Sequence, residues 1–187
     1  MGAPDRLAAA AAIDAFLRAL GRDPKAEPEL ARTGERVAAA FIDELCDGYG
    51  VDVGGLLRAE SIPGTSEVVA LHGIAVATVC PHHLMTAAGT ASVAFAPSER
   101  LVGLGTIVKV VDAYAHRLTL QEEIGQRVAL ALVTHLSARW AACRLMLGHL
   151  CVSAQGPRRH GTQAETLAFA GDEACRAAAL GFIGAPR

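Results

Sequence analysis

The spacing of apolar residues predicts that the first third of the chain is helical. Apolar positions recur at helical intervals over residues 7–20, where Gly21 ends the pattern. A second helix is expected to begin with Thr33 as its N-cap and to end before Gly48. One face of that helix carries four large apolar side chains, which are Val37, Phe41, Ile42 and Leu45. These helices form a predicted N-terminal helical segment over residues 1–60.

From Glu67 onward the pattern changes to short runs rich in β-branched residues, which predict strands, and later returns to helical periodicity. Turns are expected at Gly73 and Pro97. The predicted elements are strands at residues 68–71, 74–79, 89–95, 143–147 and 151–154, and helices at residues 107–116, 120–138 and 172–180. Strands followed by two helices and further strands indicate an α+β fold over residues 61–187, with helices on one face of an antiparallel sheet.

Composition and charge narrow the class of protein. A chain of 187 residues with 52% apolar residues has enough material for a hydrophobic core. The net charge of -2 and the pI near 6.4 provide no general attraction to nucleic acid or to a membrane, so neither is an expected partner. Charged residues surround the apolar residues 8–12, which is typical of an amphipathic helix and not of a signal peptide. Five irregularly spaced cysteines favour free thiols, so a cytoplasmic location is expected.

Two short segments contain most of the side chains that can bind a metal. Cys80, His82 and His83 lie within four positions after a predicted strand, and His149 and Cys151 lie at a later one. The two segments can form one site if their strands are neighbours. Two thiolates and one imidazole suit zinc, and a fourth position left to water is typical of catalytic zinc sites. The alternatives are a closed zinc site with four protein ligands and ordinary packing without a metal.

Five motifs follow one another between about residues 33 and 156. They are Thr33-Gly34-Glu35-Arg36-Val37-Ala38, Cys80-Pro81-His82-His83, Gly103-Leu104 before a helix, Arg117-Leu118-Thr119-Leu120-Gln121-Glu122, and His149-Leu150-Cys151. In order and spacing they resemble the motifs of the GTP cyclohydrolase I family. The resemblance implies the tunnelling fold (T-fold), in which antiparallel sheets of several subunits join into an oligomeric barrel. It also implies a homo-oligomer, usually a decamer of two pentamers, with active sites between subunits.

The resemblance further implies a reaction and roles for individual residues. Cys80, His83 and Cys151 would bind Zn²⁺, and His82 and His149 would transfer protons. The implied reaction is the hydrolytic opening of the five-membered ring of GTP, which releases formate and yields 7,8-dihydroneopterin triphosphate. Which histidine acts as acid and which as base stays open.

Gln121 and Glu122 would hold the guanine ring of the substrate. A carboxylate can accept two hydrogen bonds from the ring N–H and the exocyclic amine of guanine, which suits Glu122. Acidic residues in the first turn of a helix are also explained by the helix dipole alone, and that alternative stays open.

The phosphate-binding part of the family pattern is reduced in this chain. Arg36 and Lys109 are the cations that remain for the triphosphate, and Glu165 would oppose it. Arg158 could restore positive charge from a shifted position, and a solvated loop is the alternative for its segment. Because charge-assisted contacts are the strong ones, the loss of cations should weaken GTP binding. Two functions are therefore alternatives to GTP hydrolysis. One is that of a paralogue that opens a less phosphorylated purine or a related heterocycle, and the other is that of a non-catalytic protein that binds a pterin or purine. The residues that replace the family Glu, Lys and Arg are Pro81, Thr106 and Gln155.

Overall fold

The computed structural model describes residues 2–156 and 158–184, and the chain divides into two units. One unit ends at Asp47 and the other begins at Gly48, so the division lies earlier in the chain than the boundary expected at residue 60. In the described residues, no helix is long and apolar enough to cross a membrane.

The N-terminal unit contains two packed helices. Helix α1 covers Arg6–Ala19, and helix α2 covers Thr33–Ala40 and continues as a π-helical turn over Phe41–Leu45. The two helices approach closely at Gly34, where an added Cβ would lie 2.4 Å from the backbone oxygen of Ala10. A larger residue at Gly34 would therefore push the helices apart.

The start of helix α2 differs from the prediction. The N-cap is Arg32, which adopts a left-handed conformation with a φ of 62°, and Thr33 is the first helical residue. The Thr33 hydroxyl accepts a hydrogen bond from the Arg36 guanidinium at 3.2 Å and so does not cap the helix. The prediction of Thr33 as the N-cap is wrong.

The second unit is an antiparallel sheet with helices, which confirms the predicted α+β fold. Strands β2, β3, β5 and β6 form one sheet in the order β2-β3-β5-β6, with every neighbouring pair antiparallel, and β1 pairs with β4. The strands are β1 (Ser61–Pro63), β2 (Val69–Val79), β3 (Thr86–Ala96), β4 (Arg100–Val102), β5 (Trp140–His149) and β6 (Gln163–Gly171). The helices are α3 (Val53–Glu60), α4 (Leu104–Ala115), α5 (Gln121–Leu136), α6 (Leu150–Ser153) and α7 (Arg176–Ile183).

Several predicted elements need correction. The strand expected at residues 151–154 is wrong, because this segment belongs to the short helix α6. The strands expected at residues 68–71 and 74–79 are one strand, β2, whose register against β3 shifts beside Gly73. Gly73 has a φ of 69°, which a glycine adopts without strain. Helix α3 and strands β1, β4 and β6 had no counterpart among the predicted elements.

The main hydrophobic core lies between one face of the sheet and helices α3, α4 and α5. Side chains alternate along a strand, so Val93 and Phe95 of β3 face this core. Ala94 and Ala96 belong to a second cluster on the opposite face, where Ile183 of α7 packs. The prediction of helices on one face is confirmed for α4 and α5, and α7 covers the end of the other face.

Candidate functional site

The tight turn between β2 and β3 contains the first candidate metal ligands. The Cys80 N–H donates to the Met85 carbonyl, and the Leu84 N–H donates to the Cys80 carbonyl, both at 3.0 Å. Leu84 takes a φ of 53° to close the turn. Cys80 is buried at the end of β2, and its Sγ lies 3.6 Å from Nδ1 of the exposed His82.

Strand β3 stands between the two candidate ligand segments. Ala87 of β3 is paired with Thr78 of β2 on one side and with His149 of β5 on the other. The strands that carry the ligands are therefore not direct neighbours, and two strand spacings separate their backbones by roughly 10 Å. Both segments nevertheless lie at the same end of the sheet.

Helix α5 begins at this same end with Gln121, which is 3% exposed. The Gln121 Nε2 donates to the backbone oxygens of Leu145 at 3.2 Å and Ala164 at 3.0 Å, and it lies 3.2 Å from the Thr166 hydroxyl. The Gln121 Oε1 lies 2.7 Å from Nε2 of His149. One side chain thus connects α5 with β5, β6 and a candidate catalytic imidazole.

A cavity of about 310 Å³ opens where these segments meet. Thr78 and Thr119 also line it, and neither was a predicted site residue although both lie within or beside the quoted motifs. Their hydroxyls are small polar groups that no periodicity distinguishes from structural threonines, and the Thr78 hydroxyl donates to the backbone oxygen of Ala115 at 2.7 Å. The predicted site residues on the cavity wall are Cys80, His82, Gln121, Glu122, His149 and Cys151.

The other predicted site residues lie elsewhere. His83 is exposed and does not line this cavity, and its ring centroid lies 6.5 Å from that of His82. Arg36 belongs to the N-terminal unit. Arg158 is exposed in the loop before β6 and has a φ of 51°. Their roles stay predictions.

Lys109, the remaining predicted phosphate ligand, is engaged in an ion pair. Its Nζ lies 2.9 Å from one carboxylate oxygen of Glu60, while the Thr106 hydroxyl donates to the other oxygen at 2.5 Å. The hydrogen bonds from Thr106 and Lys109 hold the pKa of the Glu60 carboxyl below its ordinary value. The charge of Lys109 is therefore already balanced in part by Glu60, which weakens its attraction for a phosphate.

The donor chemistry of the cavity suits zinc, although the ligands are not assembled around one point. In the part of the chain that the structure describes, no group of three His, Cys, Asp or Glu residues is arranged to hold a metal ion. Cys80, Cys151 and the imidazoles of His82 and His149 nevertheless share one cavity. Two thiols with nitrogen donors are the combination that zinc prefers.

The opposite face of the sheet carries an arginine that the sequence analysis did not single out. Arg144 on β5 lies between the core residues Cys143 and Leu145, so its side chain points away from helices α3, α4 and α5. It is 7% exposed, and its Nε donates to the Glu165 carboxylate on β6 at 2.5 Å. The charge of Glu165, expected to oppose phosphate, is therefore balanced within the chain.

Comparisons with known proteins identify the family of this chain. The family model described as GTP cyclohydrolase I matches residues 9–180. A protein of Leifsonia xyli subsp. xyli named GTP cyclohydrolase 1 is 37% identical over 186 residues, covering 96% of each chain. A protein of Allorhizobium ampelinum with the same name is 35% identical over 171 residues, covering 90% of this chain and 84% of the relative.

A solved structure of an archaeosine synthase QueF-Like in the apo form is also similar. It has a TM-score of 0.48 and 18% sequence identity, and the match covers 58% of this chain and 98% of that chain. The family match and the identity to the two relatives show that this chain belongs to the GTP cyclohydrolase I family, with the α+β tunnelling fold.

Proposed function

We propose that this protein is a zinc-dependent hydrolase that opens the five-membered ring of GTP, releases formate and forms 7,8-dihydroneopterin triphosphate. The observation that carries this proposal is the cavity beside the start of α5. Two thiols, two imidazoles and a carboxylate from separate segments line it, namely those of Cys80, Cys151, His82, His149 and Glu122. Metal binding and proton transfer require these groups, whereas packing of a core does not. The names of the relatives support the same activity.

Cys80, His83 and Cys151 are the residues that would hold the zinc ion. His83 lies in the same turn as Cys80, and Cys151 lies on the same cavity as Cys80. When bound, zinc would act as a Lewis acid and lower the pKa of a coordinated water towards neutral pH. Two thiolate donors favour zinc over cations that prefer oxygen ligands.

The imidazoles of His82 and His149 would move protons in this reaction. Removal of the C8 atom of the purine as formate breaks two carbon–nitrogen bonds, and each departing nitrogen takes up a proton. Histidine suits this task because its ordinary pKa of about 6.5 lies close to neutral pH. Glu122, in the first turn of α5, can accept the ring N–H and the amine of the guanine and so orient the ring.

A less phosphorylated purine is the second candidate substrate, and one observation favours it. Within the described part of the second unit, neither a lysine nor an arginine lines the cavity, and Lys109 is paired with Glu60. A triphosphate carries about four negative charges, and its binding depends on charge-assisted contacts. GTP would therefore need cations from Arg158 or from a neighbouring subunit. A non-catalytic role in pterin or purine binding would require binding without turnover.

We propose further that the chain assembles into a homo-oligomer, a decamer of two pentamers in the cytoplasm. Strands β2 and β6 are the two edges of the four-stranded sheet, and an exposed edge offers backbone groups for pairing. Antiparallel pairing of β6 with β2 of the next subunit would continue the sheet into a barrel. Light scattering should then give ten times the 19.3 kDa mass of the chain. A monomer would overturn this assembly.

Formate release from zinc-loaded protein tests the proposed reaction, with fluorescence of the oxidised pterin as a second readout. GTP, GMP and guanosine are supplied in turn. Turnover that is highest with GTP supports the proposed function, and a preference for GMP or guanosine supports the second candidate. A His149→Ala variant should lose turnover, whereas the matched control His72→Ala, an exposed position of β2 that does not line the cavity, should keep it. Absence of formate from every purine would overturn both the proposed reaction with GTP and the second candidate reaction.

A further inference from the structure

Both ends of the Gln121 side-chain amide are committed to contacts within the protein. Its nitrogen faces the backbone oxygens of Leu145 and Ala164, and its oxygen faces Nε2 of His149 at 2.7 Å. The residue is 3% exposed, so water does not compete for these groups. A guanine ring held by this amide, as the family resemblance implies, would have to share groups that already have partners within the protein.

The two backbone oxygens determine which way the amide is turned. A carbonyl oxygen only accepts hydrogen bonds, so the NH₂ group of Gln121 must face Leu145 and Ala164. The flipped amide would place its oxygen against these two backbone oxygens and withdraw the amide donor from both, and only the Thr166 hydroxyl could then donate to the amide oxygen. A buried acceptor that loses its donor costs about 1–3 kcal/mol. The Oε1 of Gln121 is therefore held towards His149.

The orientation of Gln121 fixes the tautomer of His149. Because the amide oxygen only accepts, Nε2 of His149 must carry the hydrogen that joins the two residues. A neutral imidazole has one N–H, so Nδ1 of His149 has none. We propose that Gln121 is a positioning residue that holds His149 in the Nε2–H tautomer and leaves Nδ1 to exchange protons with the substrate.

The part of this inference that concerns the substrate rests on the proposed function, whereas the tautomer does not. The two are tested separately. A nuclear magnetic resonance measurement reports the tautomer with no substrate present, and kinetics reports its use in the reaction. If the parent protein turns over no purine, the proposed function fails while the tautomer can still be confirmed.

The ¹⁵N shifts of the histidine rings are the first test, measured on zinc-loaded protein at a pH about two units above the ordinary histidine pKa of about 6.5. The signals of His149 are assigned by their loss in His149→Gln. We expect a protonated Nε2 and an unprotonated Nδ1 in the parent, and a mixture of tautomers in Gln121→Leu. A protonated Nδ1, a mixture already in the parent, or a shift typical of a metal-bound nitrogen would overturn the proposal.

Steady-state kinetics is the second test, because it separates positioning from ring binding. Gln121→Leu should lower kcat by roughly 10- to 100-fold, the usual loss when a group that orients a functional imidazole is removed, and should change KM by less than about threefold. A large rise in KM with unchanged kcat would instead assign Gln121 to ring binding.

Thr166→Val is the matched control for these variants. It removes one partner of the Gln121 nitrogen but leaves the backbone oxygens of Leu145 and Ala164 in place. The amide should therefore keep its orientation. We expect kcat to stay within about twofold of the parent and His149 to keep the Nε2–H tautomer. Equal losses in Thr166→Val and Gln121→Leu would show that general packing, and not the hydrogen bond to His149, matters.

Discussion

Arg144 and Glu165 form an ion pair across strands β5 and β6, and we expect their replacement to cause unequal losses of stability. The Arg144 side chain is 9% exposed, whereas the Glu165 side chain is 49% exposed. Removal of Glu165 leaves a buried cation without its acceptor, but removal of Arg144 leaves a carboxylate that water can still reach. The structure therefore predicts a larger loss for Glu165→Met than for Arg144→Met.

The magnitudes follow from the burial of each partner. Breaking a buried pair by removing one ion costs about 3–5 kcal/mol, and the access of water to Glu165 places the loss at the low end, about 3 kcal/mol for Glu165→Met. The loss for Arg144→Met should be about 1 kcal/mol, that of one hydrogen bond. The double variant should lose about 1–2 kcal/mol less than the sum, because the second substitution removes an ion that is already unpaired.

Urea unfolding followed by the fluorescence of Trp140, the single tryptophan, measures these losses at one fixed protein concentration. The matched control is Glu173→Met, which removes a pair with Arg176 whose side chains are 72% and 54% exposed. That pair should contribute less than about 1 kcal/mol. Equal losses for Glu165→Met and Arg144→Met, or strict additivity in the double variant, would refute the reasoning.

Three further predictions concern individual residues. Cys151→Ala should lose bound zinc by metal analysis as well as turnover, whereas Cys175→Ala should keep both. Glu122→Gln should lower kcat/KM by about 100-fold, because two charge-assisted hydrogen bonds to the guanine are weakened, whereas Glu123→Gln, in the same turn, should stay within about threefold. Burial raises the pKa of the Cys143 thiol from 9.0 to about 12, so its contribution to stability is complete below pH 9 and is lost as the pH rises towards 12. The free energy of unfolding should fall by about 1.4 kcal/mol per pH unit in this range, and a Cys143→Ala variant that shows the same fall would contradict this.

The sequence predicted secondary-structure elements correctly where a pattern of apolar residues repeats over a short stretch of the chain. Helical periodicity identified α4 and α5 and alternating runs identified β2, β3 and β5, because a helix and a strand each repeat over a few residues. The metal-binding residue types at Cys80, His82, His149 and Cys151, together with the family resemblance for Gln121 and Glu122, identified six residues that the structure places on one cavity. The prediction of a strand at residues 151–154 was wrong because a short apolar run suits a strand or a helix equally well. Only the hydrogen bond from the Ala154 N–H to the Leu150 carbonyl shows that this segment forms a helical turn.

The tertiary structure alone decided which residues meet across the fold. Gln121 reads as part of a polar helix start, yet its partners Leu145 and Ala164 lie 24 and 43 positions further along the chain. The position of β3 between the ligand segments, and the pairing of Arg144 with Glu165, depend in the same way on strand order. Local periodicity records which face of an element is buried, but the partner on that face is set by long-range packing. Local patterns and motifs therefore predicted most of the elements, the family and the candidate chemistry, whereas the packed fold set the contacts that orient them.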